Sequence, residues 1–194
     1  MNSFEHRFCS SACWRYLGRR TVLPWILSGS QPGDHLLEIG AGYGAATRFL
    51  SERVDRVTSL EYDPDSAVKL KERRRGIAGD TLCGDASYLP FADQCFSSAI
   101  AVLVLHHLKT PELQDLAFAE AFRVLRPGGV FLAFEITESW IHRIGHIGST
   151  YTPVSPGSSF ARLSKAGFSR VSVDFRPGVF RVTATRPAQA LCQE

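Results

Sequence analysis

The stretch of the chain richest in chemistry is Glu38-Ile39-Gly40-Ala41-Gly42-Tyr43-Gly44-Ala45. Its glycines permit a tight turn and let a ligand lie close to the backbone. A helix starting just beyond them would present free backbone N–H groups. Gly40, Gly42 and Ala45 satisfy the pattern GxGxx(G/A), and Glu61 follows Gly40 by 21 residues, where a ribose-binding acid belongs. On these residues alone a dinucleotide and a nucleoside methyl donor fit about equally well. Two details favour the methyl donor. Glu38 attracts the ammonium of a methionine tail and would repel a pyrophosphate. The third glycine, Gly44, gives GxGxG spacing, which widens the loop for a ligand lying over it. Glu61 can accept hydrogen bonds from both ribose hydroxyls and disfavours a 2′-phosphate by its charge.

Proton-transfer chemistry would fall to histidine. His106 and His107 follow a long apolar run, and His142 and His146 flank Arg143, four residues apart, so they can share a helix face. A solvent-exposed helix face is the simpler explanation of the latter pair. The five cysteines are Cys9, Cys13, Cys83, Cys95 and Cys192, an odd number with no CxxC pair. Cys9 and Cys13 make at most half a metal site, and no further ligands stand at ligand spacing, so no metal is expected. A reducing, cytoplasmic setting is the simplest fit.

The elements that must position these residues alternate. Leu36-Leu37-Glu38-Ile39 is a short apolar run stopped by glycines and reads as a buried strand. A helix is expected over Ala45 to Arg53, then a strand over Val57 to Glu61. Asp63-Pro64 supplies an N-cap with proline at the first helical position. The helix it opens ends in the tract Lys69 to Arg75, whose cations meet the negative end of the helix dipole. A short strand near Thr81-Leu82-Cys83 precedes Gly84-Asp85-Ala86, and Phe96 to Leu103 reads as a central parallel strand. Thr110-Pro111-Glu112 opens another helix, whose Leu113, Leu116, Ala117, Ala121, Val124 and Leu125 keep the rhythm of a buried face. Arg126-Pro127-Gly128-Gly129 should end it and turn into a strand over Val130 to Glu135. Four such repeats imply a parallel sheet with helices on both faces. A helix ends at Leu163 to Phe168. Two strands joined only by Arg176-Pro177-Gly178 then follow, and so short a turn joins antiparallel neighbours.

The bulk properties set limits. A chain of 194 residues with 44% hydrophobic residues fits one domain with a substantial core. A net charge of +3 without a basic stripe gives no reason to expect nucleic acid. The longest apolar run, Ala99 to Leu105, is far too short to cross a bilayer, and Met1 to Arg20 lacks the apolar core of a secretory signal, so no membrane is expected either.

Beyond the glycines, the sequence resembles the class I S-adenosylmethionine-dependent methyltransferases, particularly the small-molecule, type 11-like group. Five segments carry the likeness in order over about residues 34 to 135: Leu36 to Gly44, Leu60-Glu61-Tyr62-Asp63, Gly84-Asp85-Ala86 with Leu89-Pro90-Phe91, Phe96 to Leu108, and Arg123 to Gly129. The resemblance implies a Rossmann-like α/β fold, doubly wound and mostly parallel, with seven strands in the order 3-2-1-4-5-7-6 and an antiparallel last strand. It implies one methyltransferase domain over 1–194, divided into an N-terminal helical segment (1–30), a donor-binding core (31–135) and an acceptor-side connection with an edge hairpin (136–194). S-adenosyl-L-methionine would be the cofactor and S-adenosyl-L-homocysteine the product, with a small-molecule acceptor.

The likeness also implies roles. Glu38 and the backbone at Gly40 would hold the methionine end, with Gly42 and Gly44 completing the loop. Glu61 would take the ribose, Tyr62 the adenine face, Asp85 the adenine amino group and Ala86 a ring nitrogen, with the backbone near Val102 lining the pocket. His107, His142 and His146 are the candidates for a base, and one is needed only if the acceptor must lose a proton early. The N-terminal Phe8, Trp14, Tyr16, Leu17, Trp25 and Ile26, with Arg7, Arg15, Arg19 and Arg20, form either a lid over the donor or a helix packed on the sheet. No long insertion builds a substrate cap, so the acceptor side is expected to be open or completed by a partner, such as a second copy in a homodimer. Competing readings are a non-catalytic domain of this fold acting as a partner or regulator, and an NAD-dependent oxidoreductase. The latter leaves Glu38, Asp85 and the antiparallel tail unexplained.

Overall fold

The computed structural model describes Arg7 and residues 11–188. Cys9, Cys192 and Phe8 lie outside the described residues, so the Cys9–Cys13 pair is not addressed by it. Short apolar runs become strands where glycine or a helix cap stops them. They are β1 (His35–Ile39), β2 (Arg56–Glu61), β3 (Thr81–Cys83), β4 (Phe96–Val102), β5 (Leu125–Ile136), β6 (Ser169–Arg176) and β7 (Val179–Thr185). They form one sheet in the order β3-β2-β1-β4-β5-β7-β6. Every neighbouring pair is parallel except β5–β7 and β6–β7. The expected order and the antiparallel β7 are therefore both observed. β7 sits between β5 and β6, so of the two hairpin strands only β6 is an edge, with β3 at the opposite edge of the sheet.

Helices cover both faces. They are α1 (Ala12–Leu17), α2 (Leu23–Leu27), α3 (Thr47–Ser51), α4 (Pro64–Arg73), α5 (Pro111–Val124), α6 (Trp140–Gly145) and α7 (Pro156–Lys165), with a π turn at Gly18–Val22 and a 3-10 turn at Leu105–His107. The predicted caps form: Asp63 accepts from the Ser66 N–H at 2.8 Å and Thr110 from the Leu113 N–H at 3.3 Å. Alternate residues of β5 feed opposite cores. Phe131 packs with Phe118, Phe168 and Phe180 on one face. Leu132 and Phe134 pack with Leu23, Ile26 and Phe49 on the other. Among the described residues no helix is long and apolar enough to cross a membrane.

Four local expectations are corrected. The helix placed over Ala45 to Arg53 is only Thr47–Ser51, because the turn after the glycines runs on through Ala46. β5 begins at Leu125 rather than Val130. Arg126 to Gly129 stays in the sheet as an irregularity between the Phe96–Leu125 and Ser98–Val130 pairings, held by the Arg186 N–H donating to the Gly129 carbonyl at 2.8 Å. On α5, Leu116 is exposed and Gln114 and Phe118 are buried, so the inward face is rotated from the one the apolar pattern gives. The basic tract does end α4, but Arg74 turns inward. Only 6% exposed, it donates to the carbonyls of Val57 and Asp80 and, at 3.0 Å, to Thr81 Oγ1.

Candidate functional site

A cavity of about 590 Å³ opens at the carboxyl ends of β1, β2 and β4. The strand order reverses between β1 and β4, and such a crevice is where open α/β sheets take ligands. Glu38, Gly40, Gly42, Glu61, Tyr62, Asp85, Ala86 and Val102 all line it. Gly44 is the exception. It faces α4, where a Cβ would come 2.7 Å from Leu70 Cδ1, so close packing under the loop demands a glycine there.

Gly40 has φ +66°, and a Cβ there would meet Val104 Cγ2 at 2.4 Å. Both the conformation and the approach demand glycine. Its N–H and that of Ala41 donate to the Leu60 carbonyl at 2.8 and 3.1 Å, which ties the loop to β2. With those N–H groups committed, what Gly40 leaves to a ligand is its carbonyl and a side without a Cβ.

Glu38 is 3% exposed, and its Oε2 accepts from Thr47 Oγ1 at 2.6 Å and Ser59 Oγ at 2.8 Å. Burial pushes its pKa up to about 7, and the two hydroxyls and the Arg74 charge pull the other way without cancelling that effect. Glu61 Oε2 accepts from the Gly42 N–H at 2.7 Å and Oε1 from the Asp63 N–H at 3.0 Å. The carboxylate is thus aimed by the loop it serves, and it retains lone pairs for further donors. Asp85 Oδ1 accepts from the Ser87 N–H and Oγ, at 2.8 and 2.7 Å, and so closes a turn. Tyr62 is 70% exposed at the rim.

Several site residues carry no sequence signal. Thr47 and Ser59 orient Glu38 from different elements. Leu103 lines the cleft at φ 57°, a backbone conformation that costs a leucine free energy and turns the chain sharply off β4. Its N–H donates to the Phe134 carbonyl at 2.8 Å, which fixes that turn. Arg123 holds the 89–93 segment through the Leu89 and Phe91 carbonyls and Asp93, behind Asp85. The N-terminal helices pack on the sheet, the second of the two arrangements expected for them, and also reach the cleft. Leu23 and Ile26 are buried in the core, and Trp14, Gly18, Val22 and Leu23 form part of the cleft wall.

The histidines separate. His107 lines the cleft, and His146, at the C-terminal cap of α6, lies against it with ring centroids 5.6 Å apart. His106 is buried behind them, its Nδ1 2.5 Å from Glu135 Oε2. His142 is not part of this group: its Nδ1 donates to the Thr137 carbonyl at 2.6 Å.

A doubly wound sheet whose switch-point cleft presents two acids, a glycine turn and a third acid after β3 defines a Rossmann-like α/β protein. The methyltransferase-domain family model matches residues 37–133, half of the chain, and the chain belongs to that family. Among curated relatives, it is 31% identical over 120 residues to 24-methylenesterol C-methyltransferase 2 of Oryza sativa subsp. japonica, covering 59% of this chain and 32% of the relative. It is 32% identical over 138 residues to malonyl-[acyl-carrier protein] O-methyltransferase of Serratia marcescens, covering 70% and 50%. The chain thus spans half or less of the length of these relatives. In fold it is similar to phosphoethanolamine N-methyltransferase 2 of Haemonchus contortus in complex with S-adenosyl-L-methionine, with TM-score 0.72 and 14% identity, covering 96% of this chain and 60% of that one.

Proposed function

We propose that this chain binds S-adenosyl-L-methionine in the β1–β2–β4 cleft and methylates an apolar small molecule. The carrying observation is that Glu38, Glu61 and Asp85, on β1, on β2 and just after β3, three neighbouring strands, line one cavity, a succession that suits an ammonium, a ribose diol and an adenine amino group. A volume of about 590 Å³ suits a ligand of nucleoside size. The bound donor supplies a methyl group that is already electrophilic. The chain's own work is then to hold the donor's two ends and align an acceptor, and alignment alone can account for much of the acceleration. Glu38, held by Thr47 and Ser59, takes the ammonium. Glu61 takes the ribose hydroxyls, and Asp85 with Ala86 takes the adenine edge.

The acceptor class is argued from α6. Trp140, Ile141, Ile144 and Ile147 are all exposed on this helix and the turn after it. The same segment ends at His146, against His107 of the cleft wall. An exposed apolar face on the helix whose cap residue meets the cleft wall suits an apolar acceptor, in keeping with the sterol named for one relative. Glu38, Asp85 and the antiparallel β7 are the features that a nicotinamide-dependent oxidoreductase leaves without a purpose.

Calorimetric titration with S-adenosyl-L-methionine and with NAD tests the cofactor. Binding of the methyl donor alone is expected, weakened roughly tenfold or more in Glu61→Ala through lost ribose hydrogen bonds. Binding of NAD alone overturns the assignment. Donor binding without turnover over a panel of apolar hydroxyl, carboxyl and amine acceptors would instead favour the non-catalytic reading.

A further inference from the structure

His106, His107 and His146 each offer a ring nitrogen, and all of these lie within 4.8 Å of one another. We propose that these three side chains form a binding site for a divalent transition-metal ion of the zinc class, set into the wall of the donor cleft. Spacing along the chain gives no hint of it, since His146 comes 39 residues after His107 and reaches it only through the fold.

The hydrogen bonds on the far side of each ring are those of a metal site. His106 Nδ1 meets Glu135 Oε2 at 2.5 Å, His107 Nδ1 the Thr150 carbonyl at 3.3 Å, and His146 Nδ1 the His142 carbonyl at 2.6 Å. A carbonyl or carboxylate only accepts, so in each ring these partners place a proton on Nδ1. Metal-binding imidazoles are held in this way, through one ring N–H on a carboxylate or carbonyl while the other nitrogen ligates.

The frame around them is stiff. Glu135, 1% exposed, also accepts from the Val104 and Leu105 N–H groups at 3.0 and 2.7 Å. Buried Gln114 donates to the carbonyls of Leu105 and Thr152, and the Thr152 N–H donates to the His106 carbonyl at 2.8 Å. The loop carrying His106 and His107 is thereby fastened to the segment that follows His146. Tyr151 stacks on His146 with centroids 4.4 Å apart. Its hydroxyl is buried and has no hydrogen-bond partner among the described residues. A buried phenol without a partner is costly, and a water on the metal is a group that could satisfy it.

Three imidazoles with a remaining open position is the ligand set of a catalytic zinc site, and imidazole also suits cobalt, nickel and copper. Zn–N bonds of about 2.0–2.1 Å place tetrahedral ligands roughly 3.3 Å apart, so the rings need close by at most about 1.5 Å. Because His107 and Thr150 line the donor cleft, the open position would be available to an oxygen of the acceptor. That last role rests on the methyl-transfer reading, whereas metal binding does not.

The test uses the untagged full chain, stripped with chelator and titrated with Co2+ alone, with no donor or acceptor present. The expected result is saturation at one equivalent, with the intense visible bands of a four- or five-coordinate site and no thiolate charge-transfer band in the near ultraviolet. His146→Ala should weaken binding by about tenfold or more. A variant with Cys13, Cys83 and Cys95 replaced by serine should keep the spectrum. A weak, unsaturable spectrum for the unmodified chain, a thiolate band, or binding unchanged in a folded His146→Ala would each overturn the site. The unmodified chain decides the matter even if a variant fails to fold.

Discussion

At the residue scale, the governing group is Glu38, because its charge state decides what the cleft can hold. Its carboxyl, raised to about 7 in the folded chain, keeps a proton that the unfolded chain has lost above its ordinary pKa of 4.5. Ligand-free stability contributed by this group therefore falls as pH rises from about 4.5 to about 7. A bound ammonium favours the ionised form, so donor affinity should rise between about pH 6 and about pH 8. Calorimetry across that range checks the slope, and Glu38→Gln should flatten it. Gly40→Ala makes a second prediction at this scale. The added Cβ would lie 2.4 Å from Val104 Cγ2 at a positive φ. The variant should lose about 1–3 kcal/mol in denaturant unfolding and most of its donor binding. Both residues were legible in the sequence. Thr47, Ser59 and Leu103 were not, because a hydroxyl that aims a carboxylate from another element, or a leucine forced to φ 57°, has no signature in residue type.

At the scale of elements, the short loops after the strands do the positioning, and the helices behind them keep those loops in place. Gln114 illustrates this from the buried face of α5. Its side chain joins the loop after β4 to the segment at Thr152, and its Oε1 accepts from Arg162 at 2.9 Å. Gln114→Leu should cost about 1–3 kcal/mol by leaving the Thr152 carbonyl without its donor and the Leu105 carbonyl with only the Leu108 N–H, and should speed hydrogen exchange at Leu105 to His107 and at Thr152. The apolar rhythm of α5 favoured Leu116 over Gln114. Periodicity records which residues are apolar, and a glutamine whose bonds are all met inside the protein is invisible to it. The exposed face of α6 carries a prediction about kinetics. Once an apolar acceptor is found, Trp140→Ala together with Ile144→Ser should raise its KM while leaving kcat nearly unchanged, as loss of uniform binding does.

At the scale of the whole molecule, the sheet is sealed on one face by the N-terminal segment. Ile26 is fully buried beside Leu36, Phe49 and Leu132, and Trp14 and Val22 of the same segment line the cleft. Ile26→Ala should therefore cost about 2–5 kcal/mol in unfolding, and donor affinity should fall with it, since core and cleft share this wall. The sequence by itself determined the alternation of elements, the antiparallel tail and the acids that line the cleft. Each of these rests on local chemistry: a cap, a glycine turn, a run of apolar residues, or a carboxylate at a strand end. Only the tertiary structure decided that Gly44 serves packing, that Arg74 turns inward, and that His107 and His146 meet while His142 stands apart. Those outcomes depend on which distant segments the closed sheet brings within a few ångströms, and a linear pattern holds no record of such distances.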